Sequence, residues 1–204
     1  MKQFPKVSST EAAKLASSPY FYDRIAAVET QGIGEDMLSV LVNDDCWKVR
    51  LAVAKSGYGL NTLMRDSEWR VREAVAQQGH GLASLRKDKH YAVREAVARQ
   101  GYGLDMLVHD EEPMVRATVA DMGFGLDILI NDPEFRVREV VASKGYGLDV
   151  LMNDPDEYIR AVAKAYKDDP SKLGYLGVVD LKELYKDDPD RLSWIGKDTF
   201  RNSL

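Results

Sequence analysis

The amino-acid sequence predicts an all-α fold: a right-handed α-solenoid of 22-residue repeats, each one α-helix plus one short α or 3₁₀ helix, closed by helical N- and C-caps. Three observations lead there: residue columns recur at a fixed interval, each interval reads as helix, stop and short helix, and strand-like alternation is missing. The pair Val-Arg falls at Val49-Arg50, Val71-Arg72, Val93-Arg94, Val115-Arg116 and Val137-Arg138, and again as Ile159-Arg160, always 22 residues apart. An aspartate precedes each arginine by six: Asp44, Asp66, Asp88, Asp110, Asp132 and Asp154. Gly57, Gly79, Gly101, Gly123 and Gly145 follow by seven, and Leu60, Leu82, Leu104, Leu126 and Leu148 open the next segment. Columns held in register over this length are a repeat, not coincidence.

The elements follow in order. Ser8 and Glu11 make a capping box for a first helix reaching about Ala16. The segment YDRIAAVETQGIGEDMLSVLVNDD is a degraded first repeat, with Glu35–Met37 inserted before Leu38. A regular unit is DPEFRVREVVASKGYGLDVLMND, residues 132–154. Asp132 is expected to cap its helix, with Pro133 at the first helical position and Glu134 near the positive end of the dipole. The helix is expected to run to Ser143 or Lys144, where Gly145 ends it in a left-handed conformation. Leu148, Leu151 and Met152 then show i, i+3, i+4 spacing, over a piece too short to stand alone.

In the joint GYGLD, Gly101 stops the helix and Tyr102 packs back near Val97, as in a Schellman cap. Gly103 frees the chain to turn, and Leu104 enters the core. At the C-terminus, YKDDP occurs at Tyr166–Pro170 and Tyr185–Pro189, each copy ending one helical piece and beginning another. The organisation expected is one domain over 1–204: an N-terminal cap at 1–21, repeats over 22–165 and a helical C-terminal cap at 166–204.

These columns resemble the superfamily of HEAT-like helical repeats, and most of all the leucine-rich repeat variant family. The shared marks are the aspartate, the Val-Arg pair, the small residues behind it and the leucine of the neighbouring helix, over roughly residues 22–165. The resemblance implies alternating α and 3₁₀ helices. It implies little about function, because such solenoids host many unrelated roles. Some members carry an iron–sulfur cluster on a cysteine-rich segment; this chain has only Cys46, so no cofactor is expected.

Composition narrows the classes. A formal net charge of −5 argues against a general nucleic-acid or anionic-membrane binder. One cysteine permits neither a disulfide framework nor a four-thiolate metal site. The start, MKQFPKVSSTEAAKLASSPY, lacks a signal-peptide core, and no apolar run approaches membrane length. A cytoplasmic, monomeric protein is the expectation.

Each candidate for chemistry also has a structural reading. On an ideal helix Arg72 falls between two apolar arcs, one of Val71, Ala74 and Val75 and the other of Ala76 and Trp69. It therefore points into the stack, where it needs a partner. Arg50, Arg72, Arg94, Arg116, Arg138 and Arg160 are read as a structural ladder with the aspartate column, bidentate in geometry; the alternative is a ligand-facing row.

The next arc holds Glu73 and Gln77, Glu95 and Arg99, Ala117 and Asp121, Glu139 and Ser143, expected as one exposed face that varies from repeat to repeat: a solvated helix face, or alternatively a recognition surface. Trp47, Trp69, Tyr91, Pro113 and Phe135 are expected to pack between repeats, unless exposure beside Arg70 and Arg136 makes them a stacking platform. Tyr58, His80, Tyr102, Phe124 and Tyr146, the middle residues of the glycine joints, form a row that either covers helix ends or presents an aromatic stripe. His80, His90 and His109 occupy different repeat positions, so no metal-binding pair is read. Cys46 has no histidine base in its repeat and is expected to be a buried thiol. The glycine joint follows a helix and lacks the third glycine of a dinucleotide loop.

The function these features favour is a non-enzymatic scaffold binding a protein or peptide. The competing readings are a nucleic-acid-binding or repair solenoid and a HEAT-like lyase, which would need a pocket of convergent polar groups.

Overall fold

The structure, a computed structural model, describes residues 8–30 and 33–172 together with positions 179, 184, 186 and 187. All regular structure among them is helical, and the chain divides into two compact units, Met1–Leu107 and Val108–Leu204.

The first unit holds α1 (Ser9–Ala16), α2 (Phe21–Val28), α3 (Glu35–Leu41), α4 (Trp47–Lys55), α5 (Leu60–Leu63), α6 (Trp69–Gln77), α7 (Leu82–Leu85), α8 (Tyr91–Arg99) and α9 (Leu104–Leu107). The longer helices α2, α4, α6 and α8 each pack on the next, and α5 and α7 each bridge the two longer helices that flank them in sequence. The second unit holds α10 (Pro113–Asp121), α11 (Leu126–Leu129), α12 (Phe135–Ser143), α13 (Leu148–Leu151) and α14 (Glu157–Asp168), then a 3₁₀ turn at Pro170–Lys172. There α10 packs on α12 and α12 on α14, with α11 and α13 alongside. Sequential packing of this kind is an α-solenoid.

The period of 22 is legible in the core. Val49, Val71 and Val93 in the first unit, and Val115, Val137 and Ile159 in the second, are fully buried. So are Val53, Val75 and Val97, then Val119 and Val141. Each such side chain contributes about 1.5–3 kcal/mol relative to exposure. The leucine that enters the core is the last residue of each short helix: Leu63, Leu85, Leu107, Leu129 and Leu151. Leu104, expected inside, is only half-buried, because the first residue of a one-turn helix sits at its rim.

The joint is a Schellman cap. Gly101 has φ 70°, its N–H donates to Ala98 O at 2.8 Å, and the Tyr102 N–H donates to Val97 O at 3.4 Å. Gly147, at φ 60°, then precedes α13 as its N-cap. The short helix is one α turn edged by 3₁₀-type bonds. Val150 N–H donates to Gly147 O and Asn153 N–H to Val150 O, while Leu151 and Met152 bond four residues back.

Four expectations need correction. Asp132 is not the N-cap of α12; Glu134 is, and the helix starts at Phe135, leaving Pro133 outside it. The Asp132 carboxylate instead receives the Glu134 N–H at 2.9 Å and the guanidinium of Arg116, and this local turn delays the helix by two residues. The first-repeat insertion is four residues rather than three, since Arg24 reaches Asp44 at a separation of 20 where later pairs span 16. The aromatic column does not form core: it sits at the helix start, half-buried at Trp47, Trp69 and Phe135 and exposed at Tyr91. Pro113 occupies that column as the first residue of α10, where the missing N–H has no intrahelical partner to lose. Finally, Cys46 is half-buried rather than buried.

At the ends, Ser8 caps α1 by accepting the Glu11 N–H at 3.2 Å. The first YKDDP ends α14 and opens the 3₁₀ turn. The second copy and most of the expected C-terminal cap lie outside the described residues, as do positions 1–7.

Candidate interaction surface

The arginine and aspartate columns come first, because their placement decides where recognition can occur. In the first unit Arg24, Arg50 and Arg72 each fork onto the aspartate of the following repeat: Asp44, Asp66 and Asp88. For Arg72 the Nε–Oδ2 distance is 2.6 Å and the Nη2–Oδ1 distance 2.7 Å, while Nη1 donates to the Asp66 carbonyl at 2.8 Å. One guanidinium thus ties its own loop to the next. In the second unit Arg116 holds Asp132 and Arg138 holds Asp154 in the same way. Arg94 is buried and donates to the Asp88 carbonyl at 2.8 Å, Asp110 accepts the Glu112 N–H at 2.9 Å, and Arg160 donates to the Asp154 carbonyl at 2.7 Å.

Burial by itself would raise Asp44, Asp66 and Asp88; the hydrogen bonds from their arginines and from backbone N–H groups outweigh it and hold these carboxyls below the usual range. The partner arginines are raised, chiefly by the same hydrogen bonds. These groups are engaged with each other and offer little to a ligand.

The expected polar face is only partly a surface. In the first unit Glu73 and Glu95 are half-buried, and Arg99 is exposed and paired with Glu95 at 2.7 Å. Burial, then the Glu95 charge, pushes the Glu73 carboxyl up. In the second unit Asp121 is exposed and bonded to Lys144 at 2.7 Å. Ala117, Ser143 and Glu139 are buried, so Glu139 cannot belong to an interaction surface. The cause is α14, whose Tyr158 hydroxyl donates to Glu139 at 2.5 Å and whose Tyr166 is fully buried. Burial pushes the Tyr166 phenol up to about 12, with the Glu139 charge adding to it. The repeat pattern does not announce this cluster, because Tyr158 replaces the Arg136, Met114 and Ala92 of earlier repeats and Tyr166 lies beyond the last Val-Arg-type pair.

The rings of the glycine joints differ in exposure along the chain. In the first unit, Tyr58 and His80 are half-buried and Tyr102 is 39% exposed, with His80 Nε2 2.9 Å from Asn61 Oδ1. In the second unit, Phe124 and Tyr146 are both exposed. A second aromatic feature runs along the helix starts of the first unit. The Arg70 guanidinium lies 4.3 Å from the Trp69 ring centroid and 5.4 Å from that of Trp47, and Lys48 lies over Phe21. Trp69 stacks on His90 with centroids 3.9 Å apart, and His90 on Tyr91.

His90 also caps α8, its Nδ1 accepting the Ala92 N–H at 3.2 Å; burial lowers its pKa, against the raising charge of Asp88. Sequence reading weighs His90 only as a metal ligand and misses its stacking and capping, though its place immediately before the aromatic column is a signal. Arg86 was missed as well. It stands where the other repeats have Val42, Met64, Val108, Ile130 and Met152, and its Nε is buried without a hydrogen-bond partner.

Charge separates the units too. Residues 1–107 carry 15 Lys and Arg against 13 Asp and Glu, and residues 108–204 carry 13 against 20, formal charges of +2 and −7. In the first unit an open cleft of about 490 Å³ lies between Met64–Ser67 and Ser84–Lys89, floored by the Arg72–Asp88 pair and rimmed by Arg65, Lys87 and Lys89. Among the described residues no cluster of three or more His, Cys, Asp or Glu side chains is placed to hold a metal ion, and no helix is long and apolar enough to cross a membrane.

A repeated long helix, a double-glycine joint and a one-turn helix, tied by inter-repeat arginine–aspartate forks, define a helical-repeat solenoid. The chain is similar to a solved structure described as a leucine-rich repeat variant with a novel repetitive protein structural motif. The two are 29% identical, with a TM-score of 0.62, over 93% of this chain and 82% of that one. The chain is therefore built on a leucine-rich-repeat-variant-like helical repeat. No family model matches it, and neither does any curated protein.

Proposed function

We propose that the protein is a non-enzymatic scaffold that binds a protein or peptide through the surface of its repeats. The observation that carries this reading is the set of rings at the glycine joints: Tyr102, Phe124 and Tyr146 stay about two-fifths exposed, although the fold asks only for a glycine on either side. Repeat solenoids bind through positions the stack leaves free. With the ladder charges neutralising one another, recognition falls to these rings and to the exposed Arg99 and Asp121. The cleft of the first unit is wide open to solvent, which suits it poorly to enclosing a small molecule.

The test is photo-crosslinking. A benzophenone side chain replaces Tyr102, Phe124 or Tyr146 in the full chain, in its native host, with Lys55 as the control position. A discrete protein adduct from the ring positions and none from Lys55 is expected. Adducts absent from every ring position would refute the reading.

A second reading, nucleic-acid binding, draws on one observation, the stack of Lys48, Trp47, Arg70, Trp69, His90 and Tyr91 in the positively charged unit. It requires a single-stranded affinity that falls steeply with salt.

A further inference from the structure

The short helices of the second unit expose apolar side chains where two of those in the first carry polar ones. Ile128 of α11 and Val150 of α13 are 45% and 60% exposed, beside Phe124 and Tyr146 at 40% and 41%. The equivalent residues of α5 and α7 are Thr62 and Ser84, while α9 has the half-buried Met106 and α3 the exposed Val40, which has no aspartate immediately before it. The repeat therefore closes without an apolar side chain at this position, and two adjacent exposed aliphatic residues serve something other than the core. Each is next to a first-turn aspartate, Asp127 or Asp149, in a unit whose formal charge is −7. Asp149 pairs with Lys167, but both side chains are largely exposed, and a pair of that kind is weak enough to exchange for a partner's cation.

Building on the scaffold reading, we propose that Phe124, Ile128, Tyr146 and Val150, with Asp127 and Asp149, bind a Lys- and Arg-rich segment of another protein. Because α10 packs on α12, equivalent residues of the two repeats are expected to be offset by about the spacing of packed helices, on the order of 8–10 Å. A helical segment matches that with apolar side chains seven residues apart, an advance of about 10.5 Å. The apolar side chains of the segment cover Ile128 and Val150, and its cations meet the two carboxylates. Opposite charge sets the approach and the apolar contacts set the affinity.

Fluorescence anisotropy tests this with the full chain and a labelled amphipathic peptide of leucine and lysine, its leucines seven residues apart, against the same peptide with glutamate for lysine. The lysine peptide is expected to bind and the glutamate peptide not. The double substitution Ile128→Ser with Val150→Ser, at exposed positions that leave the helical circular dichroism unchanged, is expected to weaken binding by about tenfold. Asp127→Asn with Asp149→Asn is expected to weaken it several-fold and to flatten its salt dependence. Binding by the serine variant within twofold of the parent overturns the proposal. Equal binding of the glutamate peptide overturns the basic chemistry while leaving the scaffold reading intact. Self-association of the parent chain that the serine variant abolishes reassigns the strip to a second copy, and also overturns it.

Discussion

The two units use one repeat to opposite ends. In residues 1–107 the surface-facing investment is at the helix starts, where Trp47, Trp69 and Tyr91 stack with Lys48, Arg70 and His90 under a slight positive charge. In residues 108–204 that column thins to Pro113 and Phe135, and both short helices expose an aliphatic residue, Ile128 and Val150, under a formal charge of −7, where the first unit exposes Val40 but carries Thr62 and Ser84 in α5 and α7. The buried positions hardly change between the units. The difference shows which parts of the repeat are construction and which are free to vary.

The largest expected break comes from the second glycine of the joint. A Cβ on Gly125, at φ 64°, would lie 2.5 Å from Cγ2 of Val108, a stiff β-branched side chain, whereas on Gly81 it would meet the end of flexible Met64 at 3.0 Å. Gly125→Ala is therefore expected to cost about 3–4 kcal/mol by urea denaturation, strain and crowding together, and Gly81→Ala about 1–2 kcal/mol. Equal losses would mean the joints are equally tight.

A smaller effect separates the units by pH. His90 caps α8 through Nδ1, which must be unprotonated to accept, and burial holds its folded-state pKa below the ordinary 6.5. Its contribution is complete above pH 6.5 and is lost as the pH falls below that toward the lowered folded value. Losing such a cap costs about 0.5–2 kcal/mol. His90→Glu, which installs the residue that Glu112 and Glu134 provide in the second unit, is expected to remove the decline between pH 7 and pH 5. The ladder carboxylates titrate lower, so they do not blur this window. A variant that loses stability in step with the parent would clear His90.

The smallest effect is at the exposed stack. Arg70→Ala is expected to cost about 0.5–1 kcal/mol, measured by the same denaturation, because its guanidinium serves two tryptophans but stays half in water.

Most of the fold was legible because whole columns repeat: Val71, Arg72 and Gly79 declare period, orientation and helix end without reference to structure. What escaped did so for physical reasons. Asp132 looked like an N-cap because aspartate usually is one; here its carboxylate is shared between a local turn and the arginine of the previous repeat. Arg24 lay outside the register because four extra residues separate it from Asp44. Glu139 looked exposed on a helical wheel, yet α14 covers it with Tyr158, and a wheel cannot show what a helix nineteen residues on will bury. The candidate surface was half legible. The joint rings stood out as a column, whereas Ile128 and Val150 resembled ordinary helix residues until their exposure was seen.

Recognition through the rings requires the arginine row to be structural rather than ligand-facing. A double-mutant cycle on Arg138 and Asp154, using Arg138→Met and Asp154→Leu and read by urea denaturation, tests this most directly. Each single substitution is expected to cost about 3–5 kcal/mol by stranding a buried charge, and the double to recover much of that, leaving a coupling of about 2 kcal/mol or more. Single losses under about 0.5 kcal/mol that simply add would contradict the account and return the arginines to the list of ligand contacts.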